Sequence, residues 1–347
     1  MSKEIFGRLP DGRIAEAYTL RNANGMAVKV TNYGGTLLQL LVPDREGHLR
    51  DVICGYDCLE DYCRSGGYQG ALIGRWGNRI GGACFTIDGV TYHVGAKENG
   101  NSLHGGFNGF DRKLWDADEK DNSLILTLIS PDGEEGFPGN LTVTVTYTLT
   151  EDNRLIIDYM AQTDKKTVLN LTNHAYFNLS GFASGDILDH ELRLDANHYL
   201  EPDAGRVPTG RLLPVDGTPL DFRTAKPIGR DIAADSCGVS SYGGYDHCLV
   251  FADAMMDEPV LRGELYDPRS GRLMQVWTNC PCIQLYTANS MTGPVPFKGG
   301  YPQQAHHAVC LETELMPDSM NHPNFTPAYL EPGETFASRT VYAFSAK

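Results

Sequence analysis

Apolar and polar positions along this chain alternate with a period of two. Thr142-Val143-Thr144-Val145-Thr146-Tyr147 does so strictly and uses strong β formers, which predicts a half-buried strand. Related apolar or β-branched runs recur at Met26 to Val30, Thr36 to Val42, Leu124 to Ile129, Leu141 to Leu149, Leu155 to Met160, His190 to Leu194 and Thr340 to Phe344. Turn dipeptides separate the runs: Asp11-Gly12, Asn24-Gly25, Asp88-Gly89, Asp132-Gly133, Asp216-Gly217 and Ser270-Gly271. No long stretch carries the period of an amphipathic helix, and no heptad, fixed-period repeat or low-complexity linker interrupts the pattern. The pattern predicts an all-β protein, a large antiparallel β-sandwich joined by hairpins, with residues 1–347 as a single domain. Pro202 to Pro227, rich in Gly, Pro, Asp and Arg and weakly periodic, predicts a long loop lying over a cleft.

Composition agrees with that picture and narrows the partners. The 38 glycines and 19 prolines among 347 residues supply the turns that many short strands need. A formal net charge of -15 argues against a general nucleic-acid or anionic-membrane surface, because those require a basic footprint. A neutral or small partner is expected instead. No stretch approaches the roughly 18 apolar residues that span a bilayer, and the polar start Met1-Ser2-Lys3-Glu4 lacks the apolar core of a secretory signal, so a cytoplasmic location is expected. In that setting nine cysteines, an odd count, read as reduced thiols in the core. Neither Cys54, Cys58 and Cys63 nor Cys280-Pro281-Cys282 has the spacing of a zinc site, so no metal is expected. Nothing in the pattern fixes an oligomeric state.

The candidate chemistry lies in polar residues set in or beside apolar strands. Val309 to Leu311 predicts a strand whose end delivers Glu312 to a rim, where Pro317 and Asp318 turn the chain. In Asn173-His174-Ala175-Tyr176-Phe177, alternation puts His174 and Tyr176 on one face. Taken singly, Glu312 also reads as a solvated strand-end carboxylate and His174 as a satisfied core histidine; together they form a base and an acid suited to proton transfer. Asn78 and Arg79, in a glycine-rich approach to a hairpin, offer several donors to a polyhydroxylated ligand, and Arg79 by itself also reads as a surface salt bridge. That stretch matches neither common phosphate loop. His104 precedes Gly105-Gly106, where missing side chains would let a ligand approach the backbone. Asp246 opens a predicted strand, and Gln284 shares a strand face with Tyr286.

Five ordered segments carry a resemblance: Gly74-Arg75-Trp76-Gly77-Asn78-Arg79-Ile80, Asn101 to Gly106, Asn173 to Leu179, Tyr245-Asp246-His247 and Glu312 to His322. In content and order they resemble the aldose 1-epimerases, the galactose mutarotases, from about Asn32-Tyr33-Gly34-Gly35 to Pro332-Gly333-Glu334. The resemblance implies a β-sandwich of the galactose mutarotase type with a cleft for a free monosaccharide, no cofactor and no metal. It implies Glu312 as general base, His174 as general acid, and Arg79, His104, Asp246 and Gln284 as sugar-binding residues, with Tyr176 a further contact. The chain departs from the family where Gln is common and this sequence has Glu314, and again at Leu315-Met316. Two other readings remain open at the level of sequence. A glycoside hydrolase would use Asp246 as its second carboxylate, and a non-catalytic sugar-binding protein would not need Glu312 and His174 together.

Overall fold

A computed structural model describes all of residues 1–347. Three antiparallel sheets hold most of the strand residues, and the one α-helix, Leu59–Arg64, has six residues. A nine-stranded sheet runs in the order Asp116–Lys120, Ser123–Ser130, Leu141–Leu149, Arg154–Thr163, Phe336–Ala346, Arg272–Thr278, Val260–Tyr266, Glu191–Leu194 and Lys226–Pro227. A six-stranded sheet runs Tyr176–Phe177, Val309–Glu314, Cys282–Tyr286, Asp246–Val250, His198–Pro202 and Pro208–Pro214. The first 51 residues add a five-stranded meander that ends at Leu49–Asp51. Each of the seven alternating runs read from the sequence lies largely within one of these strands.

Alternation sets the layers. In Leu141–Leu149 the odd positions are buried and the even ones exposed or half exposed. One cluster of 52 buried residues draws Val28 and Leu40 from the meander, Val143 and Leu155 from the nine-stranded sheet, and Ile283 and Leu311 from the six-stranded sheet. Burying a side chain of this size is worth about 1.5–3 kcal/mol. Leu311, 1% exposed within that cluster, is a position where truncation should register clearly. Leu311→Ala is expected to cost about 2–5 kcal/mol in urea unfolding, by lost transfer energy plus a cavity; a loss under about 1 kcal/mol would mean that the inner face of this sheet is not packed as described.

Two sequence expectations need correction. Pro202 to Pro227 is not one long loop: Pro208–Pro214 pairs with His198–Pro202 as the outermost strand of its sheet, and Lys226–Pro227 borders the other sheet. Proline is tolerated on edges, where an N–H is not needed for a second partner, so its presence masked a real strand. Within the segment Arg206 reaches toward the cleft, through an ion pair with Asp246 at 3.4 Å. The cysteines are all free, but only Cys54, Cys248, Cys280, Cys282 and Cys310 are buried, while Cys58 is exposed and Cys63, Cys84 and Cys237 are half-buried.

Candidate active site

The six-stranded sheet has two faces with opposite duties. Val309, Leu311, Ile283, Leu285 and Leu249 point into the large core. The residues between them in sequence point the other way, and the register pairs Glu312 with Gln284, Asp246 with Tyr286, and Tyr176 with Cys310. Paired residues in an antiparallel ladder share a face, so four strands bring Glu312, Gln284, Asp246, Tyr286 and Tyr176 onto one polar surface. Glu312 is therefore not at a strand end on a rim, as the sequence suggested. It sits inside Val309–Glu314, 3% exposed, because the strand continues two residues beyond it and is covered by loops.

Those loops supply the remaining groups. Arg75, 2% exposed, donates to the carbonyl oxygens of Ser130, Pro131, Pro138 and Gly139, which anchors the segment to the nine-stranded sheet. The Trp76 indole donates to the Arg79 carbonyl at 3.3 Å. Asn78, at φ 63, then exchanges hydrogen bonds with His104: its N–H donates to His104 Nδ1 at 3.1 Å and its carbonyl accepts the His104 N–H at 3.1 Å. A Cβ on Gly105 would lie 1.9 Å from the Gly74 carbonyl oxygen. The glycine after His104 thus admits the protein's own backbone, not a ligand as the sequence suggested.

All eight residues singled out in the sequence, Asn78, Arg79, His104, His174, Tyr176, Asp246, Gln284 and Glu312, line a single cleft of about 430 Å³. On its floor His174 Nε2 stands 3.6 Å from Glu312 Oε1. Asn78 Nδ2 donates to Gln284 Oε1 and Glu314 Oε1, both at 3.0 Å, and Gln284 Nε2 donates to Asp246 Oδ1 at 2.6 Å. Arg79 is held by Glu98, with Nε 2.6 Å from one carboxylate oxygen and an amino nitrogen 3.3 Å from the other. Burial dominates the ionisation of the floor. It pushes the Glu312 carboxyl well above its ordinary value, helped by Glu314 and Asp246 and opposed by Arg79. It lowers His174 to about 4 and raises Glu314 to about 8. The two glutamates differ in access: Glu314 accepts amide donors from Asn78 and Asn170, whereas Glu312 faces the cleft.

An aldose 1-epimerase family model matches residues 16–343. The chain belongs to the aldose 1-epimerase family. It is 40% identical to galactose mutarotase of Rattus norvegicus over 99% of this chain and 98% of that protein, and 38% identical to aldose 1-epimerase of Escherichia coli (strain K12) over the full length of both. Among solved structures it resembles an aldose epimerase homologue from C. elegans (TM-score 0.87, 28% identity, 95% of this chain and 98% of that one) and galactose 1-epimerase from Lactobacillus acidophilus NCFM (TM-score 0.86, 28% identity, 99% and 98%). The protein is thus an isomerase with the galactose mutarotase fold, and its relatives support mutarotase activity.

The epimerase cleft contains one group of potential metal ligands, His104, His174 and Glu312, whose ligand atoms lie within 4.8 Å of one another. The set does not suit a cation. The Asn78 N–H aimed at His104 Nδ1 leaves the imidazole proton on Nε2, so neither nitrogen of His104 is free to ligate. What His104 can present to the cleft is an N–H donor. No helix of this epimerase is long and apolar enough to cross a membrane.

Sequence reasoning missed several cleft residues. Glu98 and Tyr68 stand in irregular segments with no periodic pattern to read, and Ser290, Met291, Gly293, Pro294 and Val295 form a wall from another. Glycines at 66, 67 and 70 around Tyr68 were the one available signal.

Proposed function

We propose that this protein interconverts the α and β anomers of free aldohexoses such as D-galactose and D-glucose, by ring opening and closure with Glu312 as general base and His174 as general acid. The observation that carries this reading is the 3.6 Å approach of His174 Nε2 to Glu312 Oε1 on the floor of a polar cleft. In a cyclic aldose the C1 hydroxyl and the ring oxygen share one carbon, so the group that takes a proton from the first must neighbour the group that gives one to the second.

Glu312 removes the proton from the C1 hydroxyl as the bond between C1 and the ring oxygen breaks; the bonding pair goes to the ring oxygen, which takes its proton from His174, and C1 becomes an aldehyde. Rotation about C1–C2 presents the other carbonyl face. The C5 hydroxyl then attacks, returning its proton to His174 while Glu312 returns the other to the C1 oxygen. No proton or electron is gained or lost overall. The pair starts with one proton, on His174, and ends ring opening with that count unchanged and the proton on Glu312. Burial disfavours both charges, so it favours the neutral pair that accompanies the open-chain sugar.

The remaining groups suit hydroxyl recognition. Arg79 and the His104 Nε2 proton are donors, Asp246 an acceptor, and Asn78 and Gln284 are amides fixed by a continuous hydrogen-bond chain. Tyr176 adds an aromatic wall, and the expected setting is the cytoplasm. Asp246 is committed to Gln284 and Arg206, which weighs against a hydrolase in which it would be a free second carboxylate. The test is the decay of optical rotation of freshly dissolved α-D-galactose and α-D-glucose at neutral pH. Protein-dependent acceleration is expected for at least one of them; none for either sugar would sink the proposal and leave sugar binding without catalysis.

A further inference from the structure

His174 packs against two tyrosines. Its imidazole is 4.9 Å from the Tyr176 ring at an interplanar angle of 21°, and 5.7 Å from the Tyr68 ring at 20°. Both rings thus lie near-parallel to the imidazole, each within stacking distance of it. Tyr176 comes from the sheet, but Tyr68 reaches this position by a route built for it. Its backbone is in the left-handed region, φ 60, which a bulky side chain adopts only where surrounding contacts enforce it. The Tyr68 carbonyl accepts the Ala71 N–H at 3.0 Å, closing a turn. That turn grips the backbone of His174 itself: Gly70 N–H donates to the His174 carbonyl and His174 N–H donates to the Ala71 carbonyl, each at 2.9 Å. Gly70 is required there, since at φ 77 a Cβ would lie 2.3 Å from the Leu37 carbonyl oxygen. From the other tyrosine, the Tyr176 hydroxyl donates to the Gly67 carbonyl at 2.9 Å.

We infer that Tyr68 is a positioning residue for the epimerase reaction: with Tyr176 it clamps the His174 imidazole so that Nε2 stays beside Glu312. The inference rests on the proposed role of His174 as acid. The ring of Tyr68 is the working part, because its hydroxyl is buried without a hydrogen-bond partner. The His104 ring meets Tyr68 edge-on at 4.6 Å and the Lys97 ammonium lies 4.6 Å from the Tyr68 centroid, so the clamp is itself braced on two further sides. The stack also keeps water from the imidazole, in keeping with the burial that holds His174 below its ordinary value.

The experiment compares Tyr68→Leu, Tyr68→Met and Tyr68→Phe with the unaltered protein, measuring mutarotation kinetics and the titration of His174 by NMR of the labelled imidazole. Removing the ring is expected to lower kcat about tenfold, with a smaller change in KM, because a freed imidazole samples unproductive orientations. Tyr68→Phe should restore most of the turnover lost in the other two. The His174 titration should move up from about 4 toward its ordinary 6.5 in Leu and Met variants and stay low in Phe. Unchanged kcat and unchanged titration in either ring-less variant would overturn the inference, as would a Phe variant as impaired as Leu, which would shift the role to the hydroxyl. Tyr68→Met preserves bulk and keeps the test decisive where Leu fails to fold. Should His174→Ala retain turnover while the His174 titration moves in the Tyr68 variants, the acid assignment falls and the clamp on the imidazole stands.

Discussion

Glu312→Gln is expected to lower the turnover of anomer exchange by about 10²–10⁴-fold, the usual contribution of a positioned general base. The amide matches the carboxylate in shape but cannot accept and return a proton. The choice of Glu312 over its neighbour is a matter of access. Both glutamates lie on the same face of Val309–Glu314, but Glu314 is covered and holds the amides of Asn78 and Asn170, while Glu312 opens into the cleft beside His174 Nε2. The same burial that raises the affinity of Glu312 for a proton makes it a stronger base once ionised, and it makes the charge costly to keep. Replacing the carboxylate by a neutral amide removes that cost. The variant should accordingly unfold in urea at a midpoint no lower than the unaltered protein, which separates lost chemistry from lost structure. Polarimetry on both proteins reads the effect, and turnover within about threefold of normal would remove Glu312 from the mechanism.

The sequence disclosed the strands more readily than their partners, and the reason is physical. A half-buried strand such as Leu141–Leu149 writes its environment into its own alternation. The pairing of Glu312 with Gln284 and of Asp246 with Tyr286 is set by register between segments far apart in the chain, and no local pattern encodes it. The sequence therefore supplied the cleft residues as separate candidates and gave no reason why they should meet. Its error at Glu312 has the same origin: an apolar run followed by Pro317 and Asp318 reads as a strand that ends early, because Thr313 and Glu314 look like surface residues until Thr313 is seen bonded to Thr340 and Glu314 to buried amides. Tyr68 was harder still. Its place depends on a left-handed backbone and on hydrogen bonds to His174 more than a hundred residues away, neither of which leaves a periodic trace. The family resemblance brought the cleft residues together as a set, but a residue such as Tyr68, which acts on another side chain, lies outside the motifs that carried it.

His174→Ala should produce a loss comparable to that of Glu312→Gln, about 10²–10⁴-fold in turnover, since an unassisted ring oxygen would leave as an alkoxide. The two losses should not add in the double variant, because one proton serves both groups and removing either partner ends the exchange between them. The pH dependence tests the same idea without mutation. With His174 lowered to about 4 and Glu312 raised, the free protein binds one proton on the pair across a wide range. A second proton, which charges the imidazole while Glu312 stays neutral, is taken up only as pH falls through about 4. The acid limb of the kcat/KM profile should therefore lie near 4, well below the ordinary histidine value of 6.5. On the alkaline side it should decline once the last proton leaves the pair, and that limb should disappear from the residual activity of Glu312→Gln. An acid limb centred near 6.5 would mean that water reaches His174 in the free protein and that the buried, one-proton pair is not the working state.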